Sequence, residues 1–398
     1  MNVGILTYHR SINYGAVIQA YALSQRLKEI PGINVEIIDY MSLKMDLYYK
    51  LFTIYRGKNG LMHFPERLTM YRAFKKSMQQ LPLSKERLVC DDINKFNRCY
   101  EKNYDVIVVG SDAVWNYEKR GFPNPYFLME NICKHKVSYA ASCNGIVYNE
   151  IDNKKILLLK KSFSDFEYIG VRDELTERVV TRALGENISK HNCDPTFLLD
   201  FEKDKLGEDL IKKLEYKLEK KYNWDRNKIH IGLMLSNYNG SFVKSLIQKI
   251  RDRYGDKCQI VSVYSYCREA DIPYIADLNP FEWSRIFSLF DCTFSKYFHG
   301  TLLSILNGTP VISLSAEKDN GDIPTKVEDV LGRLNLKDFL WHSRNFNNIN
   351  WEVFMKTVDD LINNPPKEKM KNAVENEKRS SKSFFTYINK LKTVYEKN

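Results

Sequence analysis

Short apolar runs bounded by Gly, Pro, Asn or Asp alternate along the chain with stretches whose apolar residues recur at helical spacing. That is the rhythm of strands and helices in a parallel α/β sheet. Val3 to Thr7 is the first such run, followed by the polar loop Tyr8 to Gly15 and a helix with Ala16, Ala20, Leu23, Leu27 and Ile30 on its apolar face. Pro31 and Gly32 stop that helix, and Val35 to Asp39 supplies a second strand, which completes a βαβ unit. Tyr104 to Val109, Lys136 to Ala141 and Tyr168 to Val171 read as further strands, with a helix around Ile156 to Leu159. No GxGxxG follows the first strand, so the pattern does not mark a dinucleotide site.

Residues 41–100 interrupt this rhythm with an aromatic and basic insertion expected to be helical. It contains Tyr48, Tyr49, Phe52, Tyr55, Arg56, Lys58, Phe64, Arg67, Tyr71, Arg72, Phe74, Lys75 and Lys76. Such faces suit sugar stacking or lipid headgroups as well as ordinary packing. The charged run Asp200 to Asp225 lacks a deep apolar face and places a domain boundary, giving a first domain at 1–205. A second α/β rhythm fills 206–366: strands at Ile229 to Leu235 and Gln259 to Val263, helices at Phe242 to Tyr254 and Phe281 to Phe290, then FSKYFHGTLLSILNGTPVISL at 294–314. Helices are expected around Asp329 to Leu331 and Val353 to Ile362. The tail 367–398 reads as one long polar helix, Lys367 to Tyr395, with Phe384, Phe385, Ile388, Leu391 and Val394 as its apolar stripe, packing back on the first domain. The expected fold class is therefore α/β, two Rossmann-like domains facing a central cleft.

Composition narrows the class. A chain of 398 residues exceeds what one core usually fills, which agrees with two domains, and 43% hydrophobic content is ordinary for a globular protein. The eight cysteines (Cys90, Cys99, Cys133, Cys143, Cys193, Cys258, Cys267, Cys292) form no CxxC pair, and the chain opens into a strand rather than an apolar leader. A cytoplasmic protein with reduced thiols is expected. No apolar run approaches the ~18–20 residues that span a bilayer, so membrane contact would be peripheral, at the inner face. The net charge of +10 suits anionic substrates or an anionic membrane surface, and equally a lysine-rich solvated face. Nucleic acid is not expected as a partner, because no zinc finger, RNP sequence or basic zipper is present.

Ligands of open α/β sheets bind at the carboxyl ends of strands, and the candidate chemistry lies there. In the 294–314 segment, His299 falls near a strand end, Gly300 offers a bend and Thr301 a cap for the next helix, so an anion there would meet helix N-terminal amides beside an imidazole. Asn13 and Gly15 are candidates for close approach to a substrate. Gly110-Ser111-Asp112-Ala113-Val114-Trp115-Asn116 follows the apolar run at 104–109: Gly110 and Ser111 permit close approach, Asp112 would orient a hydroxyl or a catalytic His, and Trp115 would wall a sugar or simply be buried. Arg172 ends the strand Tyr168 to Val171, as an anion clamp or as a surface pair with Asp173 or Glu174. Cys143 reads as a packing residue, since no His lies near it in sequence.

Taken together, Gly4-Ile5-Leu6-Thr7, Asn13-Tyr14-Gly15-Ala16, Gln19-Ala20-Tyr21-Ala22-Leu23, Gly110-Ser111-Asp112, Val114-Trp115-Asn116, Ser138-Tyr139-Ala140-Ala141-Ser142, Val171-Arg172-Asp173, Asp194-Pro195-Thr196 and Phe298-His299-Gly300-Thr301 carry a resemblance. Over nearly its whole length the chain resembles the polysaccharide pyruvyl transferase family. The resemblance implies a fold similar to glycosyltransferase type B, and transfer of the pyruvyl group of phosphoenolpyruvate onto two hydroxyls of a sugar, giving a cyclic ketal and phosphate. It implies no metal and no cofactor besides the donor substrate. By position His299 is similar to the family's catalytic His and Arg172 to the Arg that holds the donor, and Asp112 is the third catalytic candidate. Lys296, Tyr297, Phe298, Gly300 and Thr301 would complete the donor side. Asn13, Tyr14, Gly15, Gly110, Ser111, Asp112, Trp115 and Asn116 would form the acceptor side. Several members carry Arg at the position of Tyr297, so Lys296 is the candidate substitute, and relatives often have Gln at the position of Ala113. The implied partners are phosphoenolpyruvate and a saccharide acceptor, free or lipid-linked. The alternatives are a nucleotide-sugar-dependent glycosyltransferase of the type B fold, with Ser315-Ala316-Glu317 as its candidate acidic motif, and a non-catalytic glycan-binding protein.

Overall fold

β1 (Asn2–Leu6) and β2 (Asn34–Ile37) pair in parallel, Ile5 opposite Ile37, and the helix Tyr14–Lys28 joins them. The short β3 (Tyr40–Met41) and β4 (Leu88–Val89) form a separate ribbon. β5 (Val106–Val109), β6 (His135–Ala141), β7 (Tyr168–Val171) and β8 (Lys190–His191) then extend the sheet on the other side of β1. The resulting six-stranded parallel sheet has the order β2-β1-β5-β6-β7-β8. Its central strands are buried along nearly their whole length because both faces are covered, and β5 and β7 are buried at every position. A second sheet, order β10-β9-β11-β12-β13, is built from β9 (Ile229–Met234), β10 (Cys258–Ser262), β11 (Cys292–Ser295), β12 (Val311–Ser315) and β13 (Leu340–His342), again all parallel. In each sheet the chain lays its second strand on one side of the first and the next sheet strand on the other, which makes a topological switch point between β1 and β5 and another between β9 and β11.

This computed structural model describes residues 1–51, 63–129, 132–235, 240–315, 320–342 and 349–396. The chain divides into two units: Met1–Leu199 with Asp319–Lys326 and Glu377–Asn398, and Asp200–Lys318 with Val327–Asn376. Each unit is a Rossmann-like α/β layer structure around its own parallel sheet. Of the insertion, the helices Leu43–Leu51, Phe64–Ser77 and Ile93–Tyr100 are described, while Phe52, Tyr55, Arg56 and Lys58 lie outside the described residues, as do Ala316 and Glu317.

The tail departs from the single helix read from its sequence. It is two helices, Lys367–Arg379 and Lys382–Tyr395, broken at Ser380-Ser381. The break has a polar cause: the Ser381 hydroxyl is buried against Tyr139 Oη at 2.7 Å and accepts from the Cys193 amide at 3.0 Å. The second helix then lays Phe384 against Tyr139 and Tyr168, ring centroids 4.7 and 5.4 Å apart. Of the expected stripe, Phe384 and Ile388 are buried, whereas Val394 is exposed.

Candidate active site

In the first unit the parallel register carries the strand ends into line. The backbone pairing continues past β5 and β6, with Ser142 N–H donating to Asp112 O at 3.0 Å and Arg172 N–H to Ala141 O at 3.2 Å. This ladder brings Asp112, the neighbours Arg172 and Asp173, and Asp194 from three separate stretches of sequence to one end of the sheet. Arg172 is buried there and donates from Nη1 to Asp194 Oδ2 at 2.8 Å. Burial by itself would pull the guanidinium pKa down, but Asp194, Asp112 and Asp173 outweigh it and the net direction is up. The expected alternative, a surface pair with Asp173 or Glu174, is therefore wrong: Asp173 instead caps the helix Glu174–Leu184, accepting from Thr176 N at 3.0 Å. Asp194 is itself fixed by Thr196 N and Oγ1 at 3.0 and 2.7 Å.

The loop after β5 is clamped from beneath. Gly110 sits at φ +115°, and a Cβ there would lie 2.2 Å from Tyr139 O, so only glycine fits. Ser111 donates to Gln19 Oε1 at 2.7 Å and its carbonyl accepts from Thr7 Oγ1 at 2.7 Å. Asp112 holds φ +88° with its carboxylate accepting from the Ala113 amide at 2.7 Å, a left-handed conformation that the surrounding bonds must stabilise. Trp115 is a core residue and not an exposed sugar wall: it is fully buried against Phe163, ring centroids 4.7 Å apart, and donates from Nε1 to Tyr126 O at 3.1 Å. Asn116 is likewise buried, bonded to Asn144 O and capping Tyr117–Arg120. Asn13 caps Tyr14–Lys28, Tyr14 is buried against Phe74, and Gly15 is buried within the helix.

A cavity of about 370 Å³ opens beside this loop, at the carboxyl end of β1. Its lining includes Tyr8, Arg10, Tyr40, Tyr49 and Tyr126 with Lys44 and Lys119. Tyr8 ties it to the β5 loop, donating to Ala113 O at 3.3 Å and meeting the Tyr126 ring edge-on at 5.0 Å. Arg10 is anchored from below by a two-pronged pair with Asp39, which also bonds His9 Nε2 at 3.1 Å. Burial raises the Asp39 carboxyl, but the bonds from Arg10 and His9 override it and hold its pKa well below the usual carboxylate range. Aromatic walls with the anchored Arg10 and the lysines Lys44 and Lys119 suit a saccharide carrying negative charge.

In the second unit, β11 ends at Ser295 on the switch point, and the helix Phe298–Leu306 begins almost at once. Ser295 Oγ makes the turn, accepting from Tyr297 N at 3.1 Å and donating to Tyr297 O at 2.9 Å. Tyr297 is thus the N-cap position, and His299 lies in the first helical turn. Two sequence expectations change here. Thr301 is not a cap but a buried position inside the helix, its hydroxyl 2.8 Å from Ser313 Oγ. Gly300 does not bend the chain: it is helical, and its role is close approach, since a Cβ there would lie 2.4 Å from Met234 Sδ and 2.5 Å from Ser295 Oγ. Lys296 is half-buried beside the turn, its Nζ 5.5 Å from the Tyr297 ring centroid, and burial lowers its pKa. Tyr297 packs at a tilt of 38° against Tyr264, ring centroids 4.0 Å apart, while Phe298 meets the His299 ring edge-on at 5.3 Å.

The family profile of polysaccharide pyruvyl transferases matches residues 13–317. The chain belongs to the polysaccharide pyruvyl transferase family. Among solved structures, the UDP-GlcNAc 2-epimerase of Neisseria meningitidis bound to UDP-GlcNAc is 12% identical over 98% of this chain and 100% of that one, TM-score 0.51. A Listeria monocytogenes protein described as a UDP-N-acetylglucosamine 2-epimerase is 11% identical over 100% and 97%, TM-score 0.51, and another UDP-N-acetylglucosamine 2-epimerase is 11% identical over 97% and 95%, TM-score 0.52. At these identities the likeness concerns the fold, which is that of the type B glycosyltransferases and related epimerases. No curated protein sequence matches significantly.

Within the polar loop Tyr8 to Gly15 the sequence reading singles out Asn13 and Gly15, not Tyr8, His9 and Arg10, which line the cavity, and it does not single out Asp39, which anchors Arg10. A signal existed. β1 and β2 are adjacent and in register, so residues just beyond their carboxyl ends must meet, and one of those ends carries His9-Arg10 while the other carries Asp39. Among the described residues no three or more His, Cys, Asp or Glu side chains gather as a metal-ligand set, and no helix is long and apolar enough to cross a membrane.

Proposed function

We propose that this transferase moves the pyruvyl group of phosphoenolpyruvate onto two hydroxyls of a sugar in a cell-surface polysaccharide or its precursor, forming a cyclic ketal and releasing phosphate. The observation that carries the reading is the family match over residues 13–317, with His299 and Arg172 standing in its motifs. The chemistry needs a proton donor, an anion clamp and an oriented diol. Protonation of the donor's methylene carbon makes an oxocarbenium-like centre, which the first acceptor hydroxyl attacks. Expulsion of phosphate then admits the second hydroxyl. One hydroxyl proton ends on the new methyl group and the other on phosphate or solvent, so the ketal and inorganic phosphate balance the reactants.

In this reading His299 supplies the proton, while the half-buried Lys296 and the amides of the first helical turn meet the phosphate. Arg172, held rigid by Asp194, clamps the donor's negative charge. Asp112 orients an acceptor hydroxyl, and the cavity lined by Tyr8, Arg10 and Tyr126 takes the saccharide, free or lipid-linked. The Asn13 to Gly15 segment and Ser111 act by holding these loops in place. Phosphoenolpyruvate should raise the melting temperature of the purified protein, and phosphate release should require both phosphoenolpyruvate and an acceptor glycan. Stabilisation by a nucleotide sugar with none by phosphoenolpyruvate would favour sugar transfer and end this reading.

A further inference from the structure

The helix Leu43–Leu51 divides its residues between two opposite tasks. Met45 and Tyr49 turn inward to the cavity, and Asp46 is buried beneath them, paired with Arg87 Nη2 at 2.7 Å and Lys50 Nζ at 2.6 Å. The outward face carries Leu43, Leu47 and Leu51, which follow one another at i, i+4 and i+8 and therefore form one stripe. These leucines are 55%, 58% and 44% exposed, with Tyr48 beside them at 49%. Lys50 borders the stripe on one side and Lys44 on the other, both exposed. A helix with an apolar stripe flanked by lysines and an amphipathic Tyr at its edge is the pattern of a segment that lies in a lipid headgroup interface.

We infer that the outward face of Leu43–Leu51 docks this protein onto an anionic lipid surface. Lys44 and the net charge of +10 select a negatively charged surface over a neutral one, Lys50 being already paired with Asp46. An ordinary solvated helix would place polar residues at 43, 47 and 51. Because Met45, Tyr49 and Lys44 of the same helix line the cavity, docking brings the wall of the cavity to the lipid boundary, where a saccharide attached to a lipid carrier would be presented. The docking claim stands independently of the pyruvyl-transfer reading, since it concerns adsorption and not turnover.

The test is co-sedimentation of the full chain with vesicles of phosphatidylcholine alone and of phosphatidylcholine with phosphatidylglycerol, at low and high salt. Selective binding to the anionic vesicles is expected, weakened by salt and reduced about tenfold by Leu47→Asp. Lys44→Glu should weaken it as well, and circular dichroism and melting of both variants should match wild type, because the substituted side chains are exposed. No binding, binding without preference for anionic vesicles, or binding untouched by Leu47→Asp would overturn the inference. So would self-association in solution that Leu47→Asp abolishes without any vesicle binding, which would assign this face to a second copy of the chain.

Discussion

Removing Asp194 tests whether Arg172 is held as a buried cation. The two side chains are 3% and 1% exposed and meet at 2.8 Å, so Asp194→Ala would leave a largely buried guanidinium without the carboxylate that it is bonded to. Loss of one partner of such a pair costs about 3–5 kcal/mol, and the lost bonds from Thr196 add about 1 kcal/mol. Asp112 and Asp173 recover part of this by facing the same guanidinium, which places the expected net cost near the lower end, about 3 kcal/mol. The double variant Arg172→Met/Asp194→Leu removes both charges and should be more stable than Asp194→Ala, with a coupling of about 1–3 kcal/mol. Because the chain has two units, a whole-chain midpoint does not assign the free-energy cost to one of them. Hydrogen exchange of the β6 and β7 amides reads the first unit directly. A cost of under about 1 kcal/mol for Asp194→Ala, typical of solvent-exposed pairs, would refute the claim that the clamp is buried and preorganised.

Other perturbations separate structural from chemical roles. Gly300→Ala should destabilise the second unit by about 1–3 kcal/mol through overpacking on Met234, whereas Gly308→Ala, at φ +74° in open space, should lose only about 1 kcal/mol from backbone strain; thermal melts of the two compare the mechanisms. Trp115→Ala should cost about 3–5 kcal/mol, while Trp115→Phe should leave the acceptor KM unchanged, as steady-state kinetics would show. The folded pKa of Asp39 is depressed, so its stabilising contribution is complete above the ordinary carboxylate value of about 3.9 and is lost as pH falls from there through the folded value. Asp39→Asn should therefore lower stability at pH 7 and flatten the acid limb of a melting-temperature profile.

The central strands were legible in the sequence because they are bounded apolar runs, and β7 was read to the residue, whereas the edge strands β8 (Lys190–His191) and β13 (Leu340–His342) are too short and too polar to stand out. Arg172 and the His299 turn were legible because they sit where strands must end. Trp115 was ambiguous for a physical reason: a loop Trp in small polar company looks the same whether it faces a cleft or, as here, fills a core beside Phe163. The start of the helix at Phe298 was hidden because no side chain caps it and the turn before it is set by Ser295, at the end of the preceding strand, rather than by Thr301. The cavity was hidden because Arg10 and Asp39 are joined by strand register and not by sequence spacing.

The most direct measurement is phosphate release from phosphoenolpyruvate with candidate acceptor glycans, paired with detection of the ketal methyl group by NMR. The account predicts acceptor-dependent release with ketal formed in step, and a fall of about 10²–10⁴-fold in turnover for His299→Ala with donor binding largely kept. Release without a ketal, or a His299→Ala variant that turns over like wild type, would contradict it.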